Sequence, residues 1–141
     1  MRRLACLFFL TLFPLAGSAN CSPGTPEPFA RFLPEFLASG NFAFSRTAIP
    51  LRSVRWEYGS DTQGNEQEKK TVTQLGRQQI NRDKALDDFM RENGLLHKVL
   101  KLARDSAEVQ IYKPDTDWLL HYHFRLHRGC WQLHEIEDFS L

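Results

Sequence analysis

The sequence lacks the marks of a dedicated chemistry. It has no glycine-rich loop to cradle a phosphate and no glycine-flanked serine elbow to present a nucleophile. The run His134, Glu135, Ile136, Glu137 lacks the second histidine of a zinc-protease helix. Asp115 and Asp117 beside Thr116 lack the glycine and the distal glutamate of a calcium loop, and aspartates favour turns in any case. Asp87 and Asp88 fall on the solvated side of a predicted helix. These absences leave no catalytic residue and no cofactor to assign, and they weigh against an enzyme.

An excess of charge of one sign is missing as well. Eighteen lysines and arginines stand against seventeen acids, and loss of Arg2 and Arg3 with a leader leaves sixteen against seventeen, a net of minus one. Near-neutrality argues against nucleic acid or an anionic membrane as the partner. Long hydrophobic runs are also scarce. The run at 4–15 is too short to span a bilayer, and the stretch at 95–102 is interrupted by His97, Lys98 and Lys101.

What is there begins with that first run. Arg2 and Arg3 precede it, and the small residues Ala16, Gly17, Ser18 and Ala19 follow, so 1–19 reads as a secretory signal peptide of bacterial type. Roughly 120 residues then remain, enough for one core, in the periplasm or outside the cell. Of three cysteines, Cys6 leaves with the signal. Cys21 and Cys130 remain as a candidate disulfide, which an oxidising compartment permits. A lipid anchor at Cys21 is the alternative, although Ser18 and Asn20 stand where a lipoprotein signal has an apolar and a small residue. Cys130 as a small buried side chain is a third reading.

Along the mature chain, 20–28 is proline-rich and reads as a flexible tether, leaving 29–141 as a single domain. Phe29, Phe32, Leu33, Phe36 and Leu37 lie at helical spacing, with Pro34 predicting a kink or a start near that residue and Gly40 a stop. The stretch 42–58 reads as extended, broken at Pro50, with Val54, Trp56 and Tyr58 on one face. A polar loop at 60–70 and a return strand at 71–75 follow. Asn81 as N-cap opens a helix over 82–93, with Leu86, Phe89 and Met90 on one face and Gly94 as its end. Strands are predicted at 95–103 and 109–113.

Trp118, Leu120, Tyr122, Phe124 and Leu126 then alternate with Leu119, His121, His123, Arg125 and His127, the strongest strand pattern in the chain. Arg128 and Gly129 form a turn, and Trp131, Leu133 and Ile136 return. The layout is α+β: a C-terminal antiparallel meander covered by about two helices.

Phe32, Phe36 and 42–51, together with 118–124, Gly129, Cys130, Trp131, Leu133 and Ile136, resemble a group of small exported bacterial proteins with the nuclear-transport-factor-2-like fold. The resemblance implies a cone of curved antiparallel sheet around helices, often dimeric and often enclosing a pocket. It transfers no catalytic residue.

Histidines form the one constellation. With Arg128 and Gly129 central to the turn, Cys130 pairs with His127, Trp131 with Leu126, and His134 falls opposite His123. His121 and His123 share a face, so His121, His123 and His134 are candidate metal ligands. The commoner arrangement is a contact surface of His121, His123, Arg125 and His127 above an apolar core. The favoured function is a non-enzymatic binding module of the bacterial envelope. Its partner is another protein, in one form a target that it neutralises as an immunity or inhibitor protein, or a second copy in a homodimer. The alternative is a carrier of a small hydrophobic ligand, or an enzyme, using the interior pocket.

Overall fold

The apolar stripe Phe29, Phe32, Leu33, Phe36 and Leu37 becomes the buried face of α1 (Phe29–Ala38) in the computed structural model, which describes residues 21, 22 and 24–140. The expected signal peptide at 1–19 lies outside the described residues. Pro34 sits inside α1, not at its start. It is solvent-exposed, so the backbone hydrogen bond it forfeits falls on the wet side while the apolar face stays intact. Gly40 does not stop α1 but opens α2 (Gly40–Ser45), whose first turn is capped by Ser39 Oγ accepting from the Phe42 N–H at 3.2 Å. The extended chain expected from residue 42 therefore begins only at Thr47.

β1 (Thr47–Ser60) and β2 (Glu66–Leu75) form a hairpin in register from Leu51 opposite Leu75 to Ser60 opposite Glu66. The polar run at 66–70, expected as loop, is strand because its charges have cross-strand partners: Lys70 lies over the Trp56 ring at 4.5 Å and Lys69 faces Glu57 at 3.8 Å. Only 61–65 remains as the turn, where Asp61 Oδ1 accepts from the N–H groups of Gln63 and Asn65. A short 3-10 turn at Arg77–Gln79 precedes α3 (Leu86–Asn93). This helix starts later than expected, because the Asn81 side chain is taken by the Asp83 N–H at 2.9 Å in the irregular segment ahead of it. Gly94, at φ 66°, ends it.

β3 (Leu96–Leu102), β4 (Ser106–Tyr112), β5 (Leu119–His127) and β6 (Cys130–Asp138) make the predicted antiparallel meander. The sheet has six strands in the order β2-β1-β6-β5-β4-β3, curved and unclosed. It is not purely antiparallel: β1 runs parallel to β6, with a register shift between Thr47 and Arg52 that spans Pro50, a residue with no N–H to give to a ladder. Among the described residues three α-helices accompany the sheet.

Phe124 of β5 is the hub of the core. The rings of Phe29, Phe32 and Phe36 meet it edge-on at 5.7, 5.5 and 5.1 Å. Such pairs contribute about 0.5–1.5 kcal/mol each beyond their buried area, which locks α1 to the sheet. Trp118, Leu120, Tyr122 and Leu126 pack on the same side as Phe124, as the alternation of β5 requires.

Candidate functional site

Cys21 and Cys130 are joined by a disulfide with a Cα–Cα distance of 5.1 Å. The Cys21 sulfur is therefore not free for a thioether to lipid, and the bond fits an oxidising compartment. Among the described residues no helix is long and apolar enough to cross a membrane. The arm beyond Cys21, expected as a tether, is docked. Glu27 is buried, its N–H donates to the Gly129 carbonyl at 2.9 Å, and its carboxylate oxygens face the two terminal nitrogens of Arg46 at 3.3 Å each.

Between the helices and the sheet lies a cavity of about 330 Å³, walled mainly by Phe36, Phe44, Leu51, Leu86 and Phe89. Five of its lining side chains are polar: Thr47, Gln79, Asn81, Lys84 and Tyr122. Four are already engaged. Thr47 donates to the Ala43 carbonyl, Gln79 accepts from the Gly76 N–H, Asn81 accepts from the Asp83 N–H, and Lys84 is paired with Glu92. The Tyr122 hydroxyl makes no hydrogen bond among the described residues, and burial pushes its pKa up to about 12. Gln79, Asn81 and Lys84 are exposed and mark the open side. Tyr122 was legible as the one polar-tipped member of the inward series on β5.

On the opposite face, His121 and His123 are not surface decoration. His121 Nδ1 lies 2.8 Å from Glu108 Oε1, and its Nε2 lies 3.1 Å from Gln110 Nε2. His123 Nε2 lies 3.0 Å from Glu137 Oε2 and 3.9 Å from Glu135 Oε1. These five side chains are only 14–25 % exposed. Arg125 and His127 are exposed.

The turn pairs Cys130 with His127 and Trp131 with Leu126 as predicted, but a bulge at His134, between the Phe124–Leu133 and His123–Glu135 pairs, sets Glu135, not His134, opposite His123. His134 keeps its ring centre 6.3 Å from that of His123 and belongs to neither compact group of metal-capable residues on this face. Its pKa is lowered to about 4, first by burial and then by Arg125, His123 and Arg52. Arg52 is ion-paired with Glu135. Phe139 lies 5.0 Å from His121 and stacks on Trp56, whose buried Nε1 has no acceptor among the described residues. Glu108 was missed from sequence, although its place between buried Ala107 and Val109 shows the period of two, and Glu135 and Glu137 were weighed only as part of a zinc-protease helix.

No protein-family model matches the sequence, and no curated protein matches it. Solved structures do. The chain is similar to an NTF2-like protein from Bacteroides fragilis, with 18% identity, a TM-score of 0.51, and coverage of 82% of this chain and 48% of that one. It thus spans about half the length of that relative. It is also similar to an NTF2-like protein of unknown function from Shewanella baltica, with 10% identity, a TM-score of 0.40, and coverage of 77% of this chain and 87% of that one. The Bacteroides likeness shows the fold, nuclear-transport-factor-2-like, and the fold alone.

Proposed function

We propose that this chain is a non-catalytic binding module of an oxidising compartment outside the cytoplasm, carrying a small, mainly apolar ligand in the cavity between helices and sheet. The Tyr122 hydroxyl carries this reading. It is the one polar lining group that no hydrogen bond engages among the described residues, and it stays accessible from the cavity. A ligand with an apolar body and a single carbonyl or hydroxyl acceptor would use that hydroxyl as its donor. The cavity volume falls at the lower end of small-ligand sites. The engagement of Thr47, Gln79, Asn81 and Lys84 favours holding over turnover, since no second group converges with Tyr122. The Cys21–Cys130 bond supports the compartment. Recognition of another protein through β5 retains Arg125 and His127 as exposed side chains but loses His121 and His123, which are engaged within the sheet face.

The test is titration of the oxidised protein with the neutral fluorophore N-phenyl-1-naphthylamine, followed by displacement with medium-chain alcohols and ketones. Saturable binding is expected, lost in Ala43→Trp, which fills the cavity, and about 2- to 10-fold weaker displacement by the ketones is expected in Tyr122→Phe. Absence of saturable binding, or full binding in a folded Ala43→Trp, would remove the proposal.

A further inference from the structure

We infer that the sheet face opposite the cavity binds one divalent transition-metal ion, with His123, Glu135 and Glu137 as its protein ligands and the His121–Glu108 pair lying beside them. Two groups, His123 with Glu135 and Glu137 and His123 with Glu108 and His121, each place their donor atoms within 4.8 Å of one another. His123 is common to both. Donor atoms on a tetrahedral zinc ion with bonds of about 2.0–2.1 Å lie about 3.3 Å apart. The separations of 3.0 and 3.9 Å from His123 Nε2 to Glu137 and Glu135 straddle that value, so small side-chain rotations close the shell.

Charge makes the same case. Three carboxylates are held on a largely shielded face, and Arg52 is the one lysine or arginine ion-paired with any of them among the described residues. Like charges crowded out of water are unfavourable unless a cation joins them. A divalent ion supplies that charge where Glu135 and Glu137 meet His123.

The donors are also oriented from behind, as ligands of metal sites usually are. Arg52 engages Oε2 of Glu135 and leaves Oε1 toward His123. Gln110 engages Nε2 of His121 and leaves Nδ1 toward Glu108. The bulge in β6 supports the same end, because one inserted residue sets Glu135 opposite His123 and Glu137 opposite His121. An aromatic wall borders this face beside His121. There Phe139 stacks on Trp56.

The experiment is calorimetric titration of the oxidised, chelator-treated protein with Zn(II), paralleled by visible absorption with Co(II). Saturable one-to-one binding and a Co(II) spectrum with imidazole and carboxylate ligands are expected. His123→Ala, and Glu135→Gln combined with Glu137→Gln, should each weaken binding by about 100-fold, at the upper end of what disturbing a metal's surroundings costs. His97→Ala, on exposed β3, and His134→Ala should leave affinity unchanged. Should His123→Ala fail to fold, the glutamine double variant, which preserves side-chain shape, decides alone. Absence of saturable binding, equal binding in the folded variants, or loss only in His134→Ala would overturn the assignment.

Discussion

The indole N–H of Trp131 donates to the backbone carbonyl of Glu27 at 2.8 Å, tying β6 to the arm that precedes α1 across a sequence separation of 104 residues. The carboxylate of the same glutamate is buried against Arg46, whose guanidinium lies over the Phe42 ring at 4.9 Å. Removing one partner of a buried pair strands the other. Glu27→Ala should therefore cost about 3–5 kcal/mol in urea denaturation, with a double cycle to Arg46→Ala strongly non-additive. A loss below about 1 kcal/mol would mean that the arm contributes nothing to the fold.

Replacing Cys21 and Cys130 together by serine opens a loop with a sequence separation of 109. In the chain-entropy model that destabilises by about 4.7 kcal/mol. Chemical denaturation of the double variant, and of the native protein under reduction, should agree. Hydrogen exchange in the arm should rise with either treatment, and unchanged protection would refute the link between disulfide and docking.

Tyr122 governs alkaline behaviour. Burial raises its phenol to about 12 from the ordinary 10, so the folded state holds that proton more tightly than the unfolded one. Its contribution is fully present below pH 10 and is lost as pH climbs through about 12. Ultraviolet titration should show one of the three tyrosines ionising last. Tyr122→Phe should remove that step and flatten the alkaline fall in stability, while leaving neutral-pH stability nearly unchanged, since no hydrogen bond is lost. An unaltered alkaline limb in the variant would contradict this.

Gly40 lets α2 approach the segment ahead of α3. A Cβ there would stand 2.5 Å from the Arg82 carbonyl oxygen and 2.7 Å from that of Lys84, both rigid backbone atoms. Gly40→Ala should cost about 1–3 kcal/mol by overpacking, despite alanine's better helix propensity. It should also disturb fluorophore binding, because Gly40 and Lys84 both line the cavity. A stabilised variant would show that the two segments separate freely.

The elements legible in the sequence are those whose side chains all answer to one core. The stripe on α1 and the alternation from Leu120 to Leu126 have few other places to go once Phe124 is central, and their faces follow from period alone. The outer site was less legible because one residue decides it. His134 occupies the position that an unbroken register would set against His123, and nothing in the local composition marks the bulge that puts Glu135 there. Glu27 was hidden for a different reason: it stands among prolines with no periodic neighbours, and its partners lie 19 and 104 residues away. Residues 66–70 have loop composition, yet Trp56 and Glu57 across the ladder hold them in a strand.

The bond from Cys21 to Cys130 has a further consequence for a protein exposed to peptidases. It makes the domain nearly a closed ring, and the tip of the β1–β2 hairpin at 62–65 is exposed. A single nick there severs the backbone but releases nothing, because the two pieces remain one covalent molecule that also shares the β1–β2 ladder and the aromatic core. Damage of that kind leaves mass on a non-reducing gel unaltered and becomes visible only when a reductant lets the fragments part.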